Sequence, residues 1–348
     1  STHAAAFRGG DVAVIGGQGL ATTNGGGRLD LAGGVGTTNS GGTITMRSGS
    51  GTATTSGSVY ISSVNAGANG VSGLLVFSSG TSGKGNSGAI SIGSGQAGKG
   101  AGGVVSITVG SGDANAGSKL SIESGTSTGT STTAGQGGSI DMTAGSGKGA
   151  TGGAISMIGG LGAGTTSGSI VIKTREAGTN GISGSLTFSS GTTTRGPSGT
   201  ISIGTGRATS GSGGAIAITV GSNTHNVGGA VTITAGESTH AAAFRGGDVT
   251  VTAGQGLATT SGGGRLDLAG GVGSLHTGGT ITMRSGSGTA TTSGSVYIRS
   301  VNAGSNGISG ALVFSSGTSS KGNSGSISIG SGTGAKGAGG AISITVGS

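Results

Sequence analysis

One short repeat runs the length of this 348-residue chain and limits what it can fold into. Each copy opens with two small residues, Gly or Ser. It continues as x-h-x-h-x-x-Gly, where h is Val, Ile, Leu, Met or Phe, and ends in about six small polar residues. Gly41–Gly49 (GGTITMRSG), Ser87–Gly95 (SGAISIGSG) and Gly213–Gly221 (GGAIAITVG) are examples. Twenty-two copies start at 9, 26, 41, 56, 72, 87, 102, 117, 137, 152, 167, 183, 198, 213, 228, 246, 263, 278, 293, 309, 324 and 339. Most spacings are 15, and every longer one adds residues to the polar linker, never between the two apolar positions. The linkers are therefore loops, and the apolar triplets are the constant units of the array.

Positions 4 and 6 of each repeat are apolar, and positions 3, 5 and 7 are mostly small or polar. That is a two-residue period, the pattern of an extended segment with one apolar face. Ile44 and Met46 share one side, with Thr43, Thr45 and Arg47 on the other. Ile, Val and Thr favour such backbone, and the flanking glycines suit tight corners. Helix is disfavoured by the glycine content, at about 1 kcal/mol per Gly relative to Ala. Two apolar residues cannot fold alone, so the pattern predicts an all-β fold. The expected form is a single-domain parallel β-solenoid (β-helix) of about 22 rungs stacked at about 4.8 Å. Block shifts of 7 and 8 repeats favour one repeat per coil, which spans roughly 105 Å. Two repeats per coil is the alternative and halves that length. The core is thin on this reading. Two aliphatic side chains supply roughly 3–6 kcal/mol per repeat, less than the ordering of a whole repeat costs.

A longer duplication lies over the short one. Residues 1–111 match 238–348 at an offset of 237, with 92 of 111 positions identical. GISGSLTFSSG at 181–191 is a third, looser copy of GVSGLLVFSSG at 70–80. The array is expected to be one continuous domain over 1–348. Its ends match mid-array positions (Ser1 with Ser238, Ser348 with Ser111), which suggests a segment of a longer polymer or copies joined end to end.

Composition removes several classes. Glycine accounts for 90 residues, with one Pro and no Cys, so neither collagen nor a disulfide or thiolate-metal framework is indicated. No apolar run is long enough to span a membrane. The net charge of +8 comes from 17 basic residues spread from Arg8 to Lys336, set against 9 acidic ones, and aromatics are 2%. Scattered charge without stacking aromatics does not suit nucleic acid. It is compatible with an acidic matrix polysaccharide.

The side chains that carry chemistry are sparse. His3, His225, His240 and His276 lie in loops, and His276 replaces Asn39 of the duplicate. Asp11, Asp30, Asp113, Glu123, Asp141, Glu176, Glu237, Asp248 and Asp267 do not recur once per repeat, as a calcium-binding nonapeptide roll requires. No catalytic, cofactor-binding or metal site is expected, and the chain is read as a non-enzyme. In-register stacking predicts inter-rung ion pairs between Asp11 and Arg28, and between Asp248 and Arg265. Tyr60, Leu74 and Val76 fall on outward positions, repeated at Tyr297 and Val313, and mark a candidate lateral contact.

The repeats SGxhxhxSG and GGxhxhTAG resemble those of glycine-rich proteins encoded in many copies by microalgae and related protists. That resemblance covers the whole chain and implies an extracellular or cell-surface fibre or coat component. The expected function is therefore a structural, filament-forming protein that associates with itself end to end, and laterally through the tyrosine patch. The alternative is a surface-binding solenoid for ice or polysaccharide. Its Thr-x-Thr face is interrupted at Asp11 and Ala13, Arg28 and Asp30, and Ser58 and Tyr60. A pectate-lyase-type enzyme has longer coils and a groove of gathered acids and bases, which this sequence lacks.

Overall fold

Where the backbone hydrogen bonds go decides the fold. In the computed structural model, the described residues are 10–20, 25–113, 117–129, 135–179, 181–225, 227–239, 245–258 and 260–347. The chain divides into two segments, Ser1–Ile172 and Lys173–Ser348.

In the first segment the backbone bonds join glycines that flank the loops. Gly42 N–H donates to the Gly34 carbonyl at 2.8 Å, Gly57 to Gly49 at 2.9 Å, Gly153 to Gly145 at 2.8 Å and Gly168 to Gly160 at 2.8 Å. In each case the second residue of one repeat meets the ninth residue of the repeat before it. Longer linkers keep the same closure, from Gly27 to Gly17 at 2.6 Å and from Gly138 to Gly125 at 2.9 Å. The second segment repeats the arrangement at Gly247–Gly236 (2.9 Å), Gly264–Gly254 (2.8 Å), Gly279–Gly271 (2.8 Å) and Gly294–Gly286 (2.9 Å). Each of these loops is thus pinned at a neck of two glycines, and inserted residues enlarge the loop without disturbing the pin.

The second residue of a repeat is Gly at all starts except Ser118, and the tightest necks give the reason at Gly27, Gly42 and Gly279. A Cβ at Gly42 would lie 2.8 Å from the Gly34 nitrogen, closer than backbone tolerates. Where a Ser precedes the neck glycine, as Ser48 does opposite Gly57, the added Cβ would lie 3.3 Å from the serine Cβ.

This arrangement overturns the solenoid. A parallel β-helix needs backbone bonds between triplets one coil apart, and none forms among the described residues. No described residue lies in a strand or a helix. The protein is therefore neither helical nor an all-β β-solenoid, and the stacked rungs, the coil assignment and the rod length derived from them fall with it. The core fails as well, since no described residue is buried. Ile44 and Met46, expected inside, are 53% and 63% exposed. The accessible surface is 34159 Å² for a mass of 31.5 kDa. A compact protein of that mass exposes about 12,000 Å² and its unfolded chain about 46,000 Å². The physical reason lies in the arithmetic of the repeat. Two aliphatic side chains per repeat do not offset the entropy of ordering all of its residues, so one chain cannot bury them by itself.

Local alternation nonetheless persists within individual repeats. Val296, Tyr297 and Ile298 are 52%, 88% and 48% exposed. Arg28 and Asp30 meet on one side of the backbone, as do Ser139 and Asp141 at 3.1 Å. Pairs two residues apart touch in this way only when the backbone is extended.

The neck yields a paired test. Gly42→Val removes the room for the bond, whereas Gly34→Ala adds a methyl group where nothing lies within 4 Å. Loss of an exposed backbone bond worth about 1 kcal/mol corresponds to roughly fivefold faster amide exchange. Deuterium exchange should show that acceleration around residues 34–42 in Gly42→Val and an unchanged rate in Gly34→Ala.

Candidate functional site

Three loops share a geometry that the sequence reading did not anticipate. Gly70 N–H donates to the Gly67 carbonyl at 3.0 Å, Gly181 to Gly178 at 3.0 Å and Gly307 to Gly304 at 3.1 Å. The bonds at Gly70 and Gly307 each close a four-residue turn, and all three tracts read Gly-x-Asn-Gly in sequence. The Asn-Gly dipeptide was the available signal, since both residues favour turns. The repeat that follows each turn ends in Phe-Ser-Ser-Gly. Its glycine is left-handed, with φ of 77° at Gly80, 78° at Gly191 and 77° at Gly317. The amide of that glycine donates to the hydroxyl two residues earlier, Ser78 at 3.3 Å, Ser189 at 3.4 Å and Ser315 at 3.4 Å. The three related sequence tracts thus fold alike.

The ion pairs take shorter paths than expected. Arg28 pairs with Asp30 at 2.5 Å and Arg265 with Asp267 at 2.5 Å, each within one repeat. Asp248 pairs with Arg245 at 3.2 Å, so the expected Asp248–Arg265 contact is not formed. An extended backbone brings residues two apart to one side at little entropic cost, whereas a partner in another repeat needs the stacking that is missing. These pairs are exposed, with side-chain exposures of 82% and 63% at Arg28 and Asp30, and contribute under about 1 kcal/mol each.

The expected contact residues are all on the surface. Tyr60 is 90% exposed, Leu74 88%, Val76 66%, Tyr297 88% and Val313 77%. They do not form a separate patch, because apolar side chains elsewhere are as exposed, including Val272 at 99% and Ile308 at 98%. The apolar surface is a property of the whole array.

Two hollows face solvent. One of about 530 Å³ is lined by Lys173, Thr174, Arg175 and Glu176, and one of about 390 Å³ by Arg299, Ser300, Val301 and Asn302. Each is lined by four consecutive residues. They occupy the same place in related repeats, yet the charged Arg175 and Glu176 of the first correspond to Val301 and Asn302 in the second. The shape is shared and the chemistry is not. His225 sits in a loop, its Nδ1 2.7 Å from the Thr224 hydroxyl and its amide donating to Asn223 Oδ1 at 2.9 Å. His3 and His240 lie outside the described residues. Among the described residues no three His, Asp or Glu side chains gather as a metal site would require, and no helix is long and apolar enough to cross a membrane.

No family model, no curated protein and no solved structure matches this chain.

Exposure of the only two tyrosines is directly measurable. In dilute, unassembled protein, iodide should quench the fluorescence of Tyr60 and Tyr297 as readily as that of free tyrosine amide. Protection in the monomer would show that an intrachain contact covers them.

Proposed function

We propose that this chain is a structural repeat protein that forms fibres by associating with copies of itself. The observation that carries the reading is the uncovered apolar surface. Val, Ile, Leu, Met and Phe recur throughout the array, and none is buried among the described residues. Exposed apolar surface beyond what a monomer ordinarily shows marks an interaction face, and here exposed apolar side chains recur from repeat to repeat. Association between chains supplies the burial that a repeat cannot supply within one.

Two further features support it. Duplication of the block 1–111 at 238–348 multiplies interaction faces without changing their chemistry. The loops are small and polar, and among the described residues ten of the 21 are pinned by a glycine neck, which holds the apolar triplets on either side at a fixed separation. The extracellular or cell-surface setting in this proposal rests on the resemblance to the microalgal repeat proteins. An acidic matrix polysaccharide is a fitting second partner for a chain of net charge +8.

Electron microscopy of the purified chain tests the reading. Filaments are expected. Monodisperse particles that persist across a wide concentration range would overturn it. Truncating exposed side chains should weaken association in proportion to the apolar area lost. Tyr60→Ser combined with Tyr297→Ser should raise the concentration needed for assembly, roughly tenfold for each ~55 Å² of apolar burial lost at about 25 cal/mol per Å², as read by sedimentation.

A further inference from the structure

The apolar triplets have open backbone edges. Among the described residues, the backbone–backbone bonds close necks and turns. The N–H and C=O groups of Thr43–Met46, Ala89–Ile92 and Ala215–Ile218 take no part in them. Extended backbone with unpaired edges is a template for another extended chain, and such groups are ordinarily paired once they leave water.

We infer that the partner on these edges is a second copy of this chain, stacked parallel and in register, so that each triplet pairs with its own counterpart at about 4.8 Å. The inference rests on the self-association reading and specifies its geometry. Three observations select this occupant.

The first is register. The linkers are not uniform: longer ones precede the repeats that start at 26, 72, 137, 183, 246, 263 and 309. A copy shifted by one repeat opposes loops of unequal length wherever the spacing changes. Zero shift superposes every loop and every triplet. The shift of 237 superposes only the duplicated block, 1–111 on 238–348.

The second is charge. In-register stacking sets each charge on its like, which is costly in an ordinary protein. Here charged residues are 7% of the chain. Arg28–Asp30 and Arg265–Asp267 are closed within single repeats at 2.5 Å, so at those two repeats a stacked neighbour meets a neutral pair. Ser and Thr, which fill most other polar positions, both donate and accept, so a hydroxyl can bond its own copy.

The third is area. A stable interface buries about 1,200–2,000 Å² in total. Covering one tenth of the 34159 Å² on each of two copies exceeds that range.

The chain has no cysteine, so one substitution gives a unique label site. Ala53→Cys lies in an exposed loop and carries a nitroxide; the readout is the electron paramagnetic resonance spectrum of sedimented assemblies. In-register stacking places nitroxides about 5 Å apart and collapses the three-line spectrum to a single exchange-narrowed line. Tenfold dilution with unlabelled chain should restore three lines. Ala290→Cys, labelled alone, should behave identically and guards against a local effect at Ala53. Assemblies that keep three resolved lines at both positions would overturn in-register stacking while leaving self-association standing. Absence of assemblies would overturn both.

Discussion

Close approach of two glycine backbones governs this structure. At each neck the amide of a repeat's second residue reaches the carbonyl of the preceding repeat's ninth, and the approach leaves little room for a side chain. Gly42 against Gly34 shows the constraint, as do Gly27 and Gly279, since an added Cβ would meet backbone nitrogen at 2.8 Å rather than a yielding side chain. The loop beyond the neck is free to lengthen, as the wider separation of Gly125 and Gly138 along the chain shows. There the Ser124 hydroxyl adds a second pin, donating to the Gly138 carbonyl at 2.9 Å. Among the described residues, four of the seven longer linkers close on such a neck, at Gly27, Gly138, Gly247 and Gly264, so extra length there stays in the loop.

A second consequence concerns the triplets between necks. A neck joins the end of one triplet to the start of the next, which is a local closure. It commits no backbone group of the triplet itself. The apolar residues keep an extended backbone and alternate sides, yet they remain in water. A chain with this economy has its cooperative interactions still to make, and in the proposed fibre those lie between molecules. Local order then comes from glycine geometry within the chain, and long-range order from the repetition of like faces.

Much of the local structure was legible in the sequence. Spacing alone separated loops from triplets, because an insertion between Ile44 and Met46 would put the two on opposite faces of their own triplet, whereas one in the linker leaves every triplet's pattern intact. The kinship of the 70–80, 181–191 and 307–317 tracts appears in the structure as three matching left-handed glycines, each with its serine bond. Arg28 lies to one side of an extended segment, as its place in the repeat requires. Its bond to Asp30 was not foreseen, although Asp30 shares that side at little cost, whereas the expected pairing with Asp11 depends on stacking.

The sequence by itself determined the period, the position of the loops, the extended character of the triplets and the sparseness of charged and histidine side chains. Each follows from residue type and spacing, which act over a few bonds. Only the tertiary structure decided that the backbone bonds close necks instead of linking triplets into a coil, and that the apolar pairs are uncovered. A two-residue period states which side chains share a face. It does not state which chain lies along the edge, because that depends on whether each repeat buries enough apolar area to hold a neighbour in place. With two aliphatic side chains per repeat, a single chain does not.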